Sequence, residues 1–142
     1  MQFGRCTAIP TRRALAQNGR MILHILRLSE WEEALRLGTY QPPSIAAEGF
    51  IHCSTMAQVI DTANAFFRGT TALLILRIDE RKLASPLRFE APATPEDTRP
   101  RESFPHIYGP LNPDAVIYAI EFPREADGSF QLPEMILELP ED

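Results

Sequence analysis

Cysteine occurs twice in this chain, tryptophan once and histidine three times. The two cysteines, Cys6 and Cys53, lie far apart, and neither sits in a CxxC or Cys/His ligand spacing. That excludes a disulfide scaffold and suits a reduced, cytoplasmic setting. No apolar run reaches the ~18 residues that a membrane-spanning helix needs. A glycine-rich dinucleotide loop and a GxxxxGK[ST] phosphate loop are both missing, which excludes the two common nucleotide-binding signatures. Acidic residues are absent from positions 1–20, which hold Arg5, Arg12, Arg13 and Arg20. This leader also lacks the apolar stretch of a secretory signal. It is expected to be a poorly ordered extension ahead of a domain that starts at Met21, with an organelle transit peptide as the alternative.

What is present describes one domain. The 142 residues suffice for a core without metal or disulfide staples. The formal net charge is −5, and removing the four leader arginines leaves 10 basic against 19 acidic residues, or −9. Such a balance argues against a nucleic-acid backbone or an anionic membrane as partner. The 13 prolines crowd the second half, where ordered loops are expected.

Met21 to Leu28 reads as a first strand, with Ile22, His24 and Leu26 on one face and Leu23 and Ile25 on the other. Ser29 to Glu32 reads as a capping box opening a helix with Trp31, Ala34 and Leu35 on its apolar face and Gly38 as its stop. Tyr40-Gln41-Pro42-Pro43-Ser44 reads as a rigid connector. A short strand follows at 50–53, with Phe50, His52 and Ser54 on one side and Ile51 and Cys53 on the other. Thr55 to Gln58 is a second capping signal, for a helix reaching about Arg68. Ala72 to Leu76 is a continuous apolar run, expected to be a central strand buried on both faces. Asp79 to Leu83 makes a turn, Leu87 to Glu90 an alternating strand, 91–103 a mobile loop, and Ala115 to Ile120 another strand. Residues 123–142 form an acidic tail in which Met135 to Leu139 could add an edge strand. The order predicts an α+β domain over 21–122, with two main helices against a mixed or largely antiparallel sheet.

Each histidine interrupts a segment that otherwise reads as core. His52 stands beside Ser54 and ahead of Thr55, where a helix N-terminus would offer amide donors to a phosphate or carboxylate. Its imidazole could donate a hydrogen bond or transfer a proton there. The plainer reading has Ser54 and Thr55 as caps and His52 as a satisfied core residue. His24 alone reads as a core histidine; it gains interest if the first two strands are neighbours and bring both rings to one face. His106 and Tyr108 share a side of a segment stiffened by Pro105 and Pro110; a stiff loop bearing them would serve ligand recognition, or else Phe104, Ile107 and Tyr108 simply plug the sheet edge. Glu90 could contact a ribose hydroxyl, orient a histidine, or pair with Arg88 in solvent. No GxSxG elbow supports a serine hydrolase. Three histidines with water are a known zinc set, but no ligand spacing identifies a metal here.

Ile22 to Leu26 with His24, Trp31 and Ala34, Tyr40 to Ser44, the Glu48-Gly49-Phe50-Ile51-His52-Cys53-Ser54 block and the Phe104-Pro105-His106-Ile107-Tyr108-Gly109-Pro110-Leu111 block together resemble the bacterial domain of unknown function family 952 (DUF952). The resemblance spans roughly residues 21–122. It implies a split-sheet α+β fold similar to the ADP-ribosyltransferase group, which clamps NAD. It also implies that His24 would contact the nucleotide and that His52 or Ser54 would line the pocket. That group's usual catalytic glutamate has no clear match; Glu90 and Glu121 stand in by chain order alone.

The expectation is therefore a small domain that binds NAD or a related nucleotide in a cleft lined by His24, His52, Ser54, His106 and Tyr108, with ADP-ribosyl or phosphoryl transfer as its chemistry. Catalysis would fall to His24, His52 and His106, and substrate contacts to Ser54, Thr55, Glu90, Phe104 and Tyr108. One alternative is a non-catalytic module for a phosphorylated or acidic metabolite, held at the helix start by Thr55. Another is a metal-dependent hydrolase built on the three histidines.

Overall fold

The computed structural model describes residues 21–91, 103–134 and 136. The basic leader with Cys6, residues 92–102 of the expected mobile loop, and the edge strand expected over Met135–Leu139 (apart from Ile136) lie outside that set. Strand β1 (Ile22–Arg27) runs straight into helix α1 (Leu28–Leu37), followed by helix α2 (Pro43–Glu48), strand β2 (Ile51–His52) and helix α3 (Val59–Phe66). Strand β3 (Leu73–Ile78), a 3-10 turn, β4 (Leu87–Glu90), β5 (Phe104–Ile107), a second 3-10 turn and β6 (Val116–Phe122) follow. The architecture is α+β, with two antiparallel three-stranded sheets ordered β1-β3-β6 and β2-β5-β4.

Strand β3 is central and buried along its whole length, as its unbroken apolar run requires. Ile22, Leu26, Leu74, Leu76 and Ile78 on one face of the first sheet join Ile51, Cys53 and Ile107 from the second sheet in one core cluster. Ala34, Trp31 and Ile45 cover it from α1 and α2. The opposite face of the first sheet carries Leu23, Ile25, Leu73 and Ile75, and packs under Val59 and Ala63 of α3. Phe130 and Ile136 complete that second cluster, so the segment expected to be an acidic tail supplies core residues.

Local structure departs from expectation at the first two helices. The cap of α1 sits two residues earlier than Ser29: Glu30 Oε1 accepts from the Arg27 amide at 2.8 Å. The strand feeds the helix with no intervening loop, and the Leu28 amide is held by the Ala72 carbonyl at 2.9 Å. Leu35 faces solvent, 55% exposed, leaving Trp31 and Ala34 on the packed side. Gly38 ends α1 with φ 80°, the left-handed turn expected of it. The supposed connector runs into helix α2 at Pro43, whose place in the first turn is one where a missing amide costs nothing.

Among the described residues the two sheets meet at one backbone bridge. Leu23 and Ser54 exchange amide-to-carbonyl bonds of 2.8 Å each. Beyond it the strands part, and the His24 ring fills the gap. His24 Nδ1 lies 2.6 Å from the His52 carbonyl oxygen and Nε2 lies 2.8 Å from the Tyr40 hydroxyl. A carbonyl only accepts, so Nδ1 carries the proton and Nε2 accepts from Tyr40. Tyr40 is fixed in turn by reciprocal 3.0 Å backbone bonds with Leu111. His24 is thus neutral, buried and satisfied at both nitrogens.

Burial lowers the His24 pKa from 6.5 to about 4, against a smaller opposing effect of its bond to the His52 carbonyl. The unfolded chain therefore takes up this proton first. Stability from this group is complete above pH 6.5 and falls as the pH drops toward 4, by up to about 3 kcal/mol. Urea unfolding from pH 7 to 4 should show this loss in the wild type, and His24→Gln, which can donate and accept without titrating, should remove that part of the slope. Identical slopes in both proteins would contradict it.

Candidate functional site

The outer face of the second sheet, on the side away from the core cluster shared by both sheets, gathers most of the side chains singled out in the sequence. Strand alternation puts Ile51, Cys53, Ile107, Leu87 and Phe89 on the core side. Phe50, His52, His106, Tyr108, Arg88 and Glu90 are left on the other. Register then sets Arg88, His106 and His52 in one row across β4, β5 and β2. The Cys53 amide bonds the Pro105 carbonyl at 3.0 Å, so His52 and His106 form the closer, non-hydrogen-bonded type of pair. Their ring centroids are 5.6 Å apart.

Phe50 organises the cluster. Its ring stacks on His106 at 4.0 Å and 19°, meets His52 edge-on at 4.9 Å, and touches Tyr108 at 5.2 Å. It can enter this position because Gly49 adopts φ 95°, which closes α2 and turns the chain into β2. A side chain at residue 49 would be strained in that conformation.

Each histidine of the face is paired with a carboxylate. Glu90 Oε1 lies 2.8 Å from His106 Nδ1 and accepts a 2.6 Å bond from the Tyr108 hydroxyl. Glu48 Oε1 lies 2.5 Å from His52 Nε2. The two hydrogen bonds hold the Glu90 carboxyl below its ordinary pKa, Tyr108 first and His106 second. The same bond raises the Tyr108 phenol. Burial lowers His106, offset in part by its bond to Glu90, and His52 adds a smaller lowering. A carboxylate on Nδ1 fixes the proton there and leaves the Nε2 lone pair as a base. Among the described residues Nε2 has no hydrogen-bond partner. The side chains differ in access, His52 being 43% exposed and His106 3%.

Not every expected site residue joins this face. His24 points into the core side, opposite the His52 ring; it reaches only the His52 carbonyl, so the three imidazoles do not converge. With both its nitrogens engaged it has none left for a metal or a proton transfer. Among the described residues no group of three or more His, Cys, Asp or Glu side chains could hold a metal ion. Ser54 does share the His52 side, but its hydroxyl lies 3.2 Å from Thr62 of α3. Helix α3 starts at Val59, not at Thr55; the Thr55 amide is taken by Gln58 Oε1 at 3.0 Å, and Asp61 places a negative charge in the first turn. An anion at that helix start would lose a donor and meet a like charge. Phe104 is buried in β5 opposite Glu90. Glu121 lies exposed on β6 in the other sheet. Of the roles weighed for Glu90, the contact with a histidine is the one present. Arg88 instead lies over the Tyr108 ring, 5.0 Å from its centroid. Sequence reasoning passed over Glu48, although it opens the same block as His52; the fold of α2 that swings it back was not visible.

A family model described as "Protein of unknown function (DUF952)" matches residues 25–119. The crystal structure of protein CC0527 from Caulobacter crescentus, a structural genomics target, is 33% identical, with a TM-score of 0.72, covering 84% of this chain and 99% of that one. A crystal structure of its double mutant is 32% identical with the same TM-score and coverage. Its solution NMR structure is 33% identical with a TM-score of 0.67, covering 81% of this chain and 95% of that one. No curated protein matches the sequence. Among the described residues no helix is long and apolar enough to cross a membrane.

Nitrogen-15 NMR of the imidazoles should find His106 protonated at Nδ1 at neutral pH, with a titration midpoint below that of free histidine. Glu90→Gln should move that midpoint further down, since the carboxylate is what opposes burial. An unchanged or raised midpoint would show that Glu90 does not support the ring.

Proposed function

The chain belongs to the DUF952 family, and from that footing we propose that the outer face of its second sheet is an enzyme site that binds NAD or a related nucleotide and transfers a proton through His106. One observation carries this reading: Glu90 Oε1 meets both His106 Nδ1 and the Tyr108 hydroxyl, while His106 Nε2 has no partner among the described residues. Carboxylate, imidazole and a free ring nitrogen in that order make a general base whose tautomer is fixed in advance. The ADP-ribosyltransferase-like character implied by the family resemblance accords with two sheets joined at a single bridge. A reduced, cytoplasmic location accords with the buried Cys53 thiol.

In an ADP-ribosyl or phosphoryl transfer, an acceptor hydroxyl would approach His106 Nε2 and give up its proton there. Its oxygen would bond to the ribose carbon or the phosphorus, and the leaving group would depart with the electron pair of the broken bond. His52, oriented by Glu48 and more open to solvent, is placed to hydrogen-bond the leaving group. Tyr108 holds Glu90 from the other side, so the carboxylate does not swing away from His106. His24 acts one step removed, as a positioning residue that pins the His52 backbone.

Calorimetry and turnover assays with NAD and ADP-ribose test this reading. Wild-type protein should bind at least one of them and turn it over in the presence of an acceptor. His106→Gln should lower turnover by about 10²–10⁴-fold while binding changes only severalfold. No heat with either ligand, or full turnover by the variant, would defeat the proposal; binding without turnover in the wild type would assign the face to a non-catalytic module.

A further inference from the structure

We infer that Arg88 is the phosphate-reading residue of this face, so that the ligand's anionic group lies over the row Arg88–His106–His52. The inference rests on the nucleotide reading above and adds the residue that selects for charge. Three features of the structure support it.

The first is register. Arg88 is the direct cross-strand neighbour of His106, and His106 of His52. The Tyr108 amide bonds the Pro86 carbonyl at 2.8 Å, which makes Arg88 and His106 a hydrogen-bonded pair with Cα atoms about 5.5 Å apart. The His52–His106 pair is closer, at about 4.5 Å. The exposed Arg88 guanidinium therefore stands one strand away from His106, so a phosphate group held by Arg88 would sit beside the ring whose Nε2 lone pair is kept as the base.

The second is the state of the guanidinium. Arg88 makes no hydrogen bond or ion pair with any described residue; its recorded contact is with the Tyr108 ring, 5.0 Å from centroid to Cζ. Glu90 attracts Arg88 by charge but makes no ion pair with it, since its Oε1 faces His106 and Tyr108. A guanidinium held over an aromatic face keeps its fork of N–H donors for two oxygens at once.

The third is preorganisation. Tyr108, the platform for Arg88, is itself tied by its hydroxyl to Glu90 and packed against Phe50. The cation and the base thus share one scaffold. Recognition of the anion and orientation of His106 are coupled through the same carboxylate and the same ring. The overall excess of negative charge in the chain makes an unpaired arginine at this place more informative than it would be on a basic protein.

The experiment is a histidine-detected NMR titration at neutral pH with 5′-AMP, inorganic phosphate and adenosine, on the wild type, Arg88→Gln and Arg88→Lys. Arg88 is exposed, so neither variant threatens the fold. In the wild type, 5′-AMP and phosphate should shift the His106 and His52 resonances and adenosine should not. Arg88→Gln should weaken the 5′-AMP response about tenfold or more, the size expected for losing a charge-assisted contact, with Arg88→Lys falling between. The His106 resonances of the free protein should keep their Nδ1–H pattern in both variants. Equal responses in wild type and Arg88→Gln would overturn the role of Arg88 while leaving the His106 base in place. A wild type indifferent to both 5′-AMP and phosphate, or one that binds adenosine equally well, would overturn the phosphate assignment. Loss of the His106 Nδ1–H pattern in the wild type would instead strike at the general-base reading.

Discussion

The hydrogen bond from His24 Nδ1 to the His52 carbonyl spans the point where the two sheets separate, and both the fold and the candidate site lean on it. Past the Leu23–Ser54 bridge the backbones diverge, and the His52 carbonyl would face the interior with no amide to meet it. An unpaired carbonyl there would cost on the order of 1–3 kcal/mol. The imidazole supplies the missing donor and passes its remaining lone pair to Tyr40, which Leu111 anchors. Three distant stretches of the chain are thereby locked around one neutral ring.

The consequence on the opposite side of the sheet is positional. Fixing the His52 backbone sets the direction of its side chain, and with it the spacing to His106, the edge contact with Phe50 and the reach of Glu48. The buried side of the sheet is apolar except for this polar wedge; the outer side is a mosaic of aromatic and ionisable groups. Two carboxylate–imidazole pairs stand side by side there, Glu48–His52 open to solvent and Glu90–His106 with its imidazole buried against Phe50. Under the function proposed above, their arrangement prepares the face for a ligand, while the two core clusters lie elsewhere.

Much of this was legible in the sequence. The continuous run at Ala72–Leu76 foretold the central strand, because only a strand buried on both faces tolerates it. Alternation along Phe50–Ser54 assigned His52 and Ser54 to one side and Ile51 and Cys53 to the other, and alternation from His106 to Tyr108 put both on one side. Other features were hidden by proline. Pro42-Pro43 suggested a stiff connector, yet proline is equally at home in the first turn of a helix, where Pro43 sits. Pro105 suggested a loop, yet β5 is the middle strand of its sheet. It is tolerated because the amide it lacks would face Cys53, just beyond the end of β2. His24 was misjudged for a different reason. Sequence order indicates that two strands are neighbours, but which faces match depends on a register that one residue's slip would invert. The Leu23–Ser54 pairing places His24 beside Cys53, on the core side, and so behind the site instead of within it.

A crystal structure of the protein soaked with ADP-ribose puts the whole picture to its most direct test. The expected density lies on the outer face of the second sheet, with phosphate oxygens beside Arg88 and a ribose hydroxyl within hydrogen-bond reach of His106 Nε2. Ligand bound on the His24 side of the sheet, or an outer face left bare at saturating ligand, would contradict it.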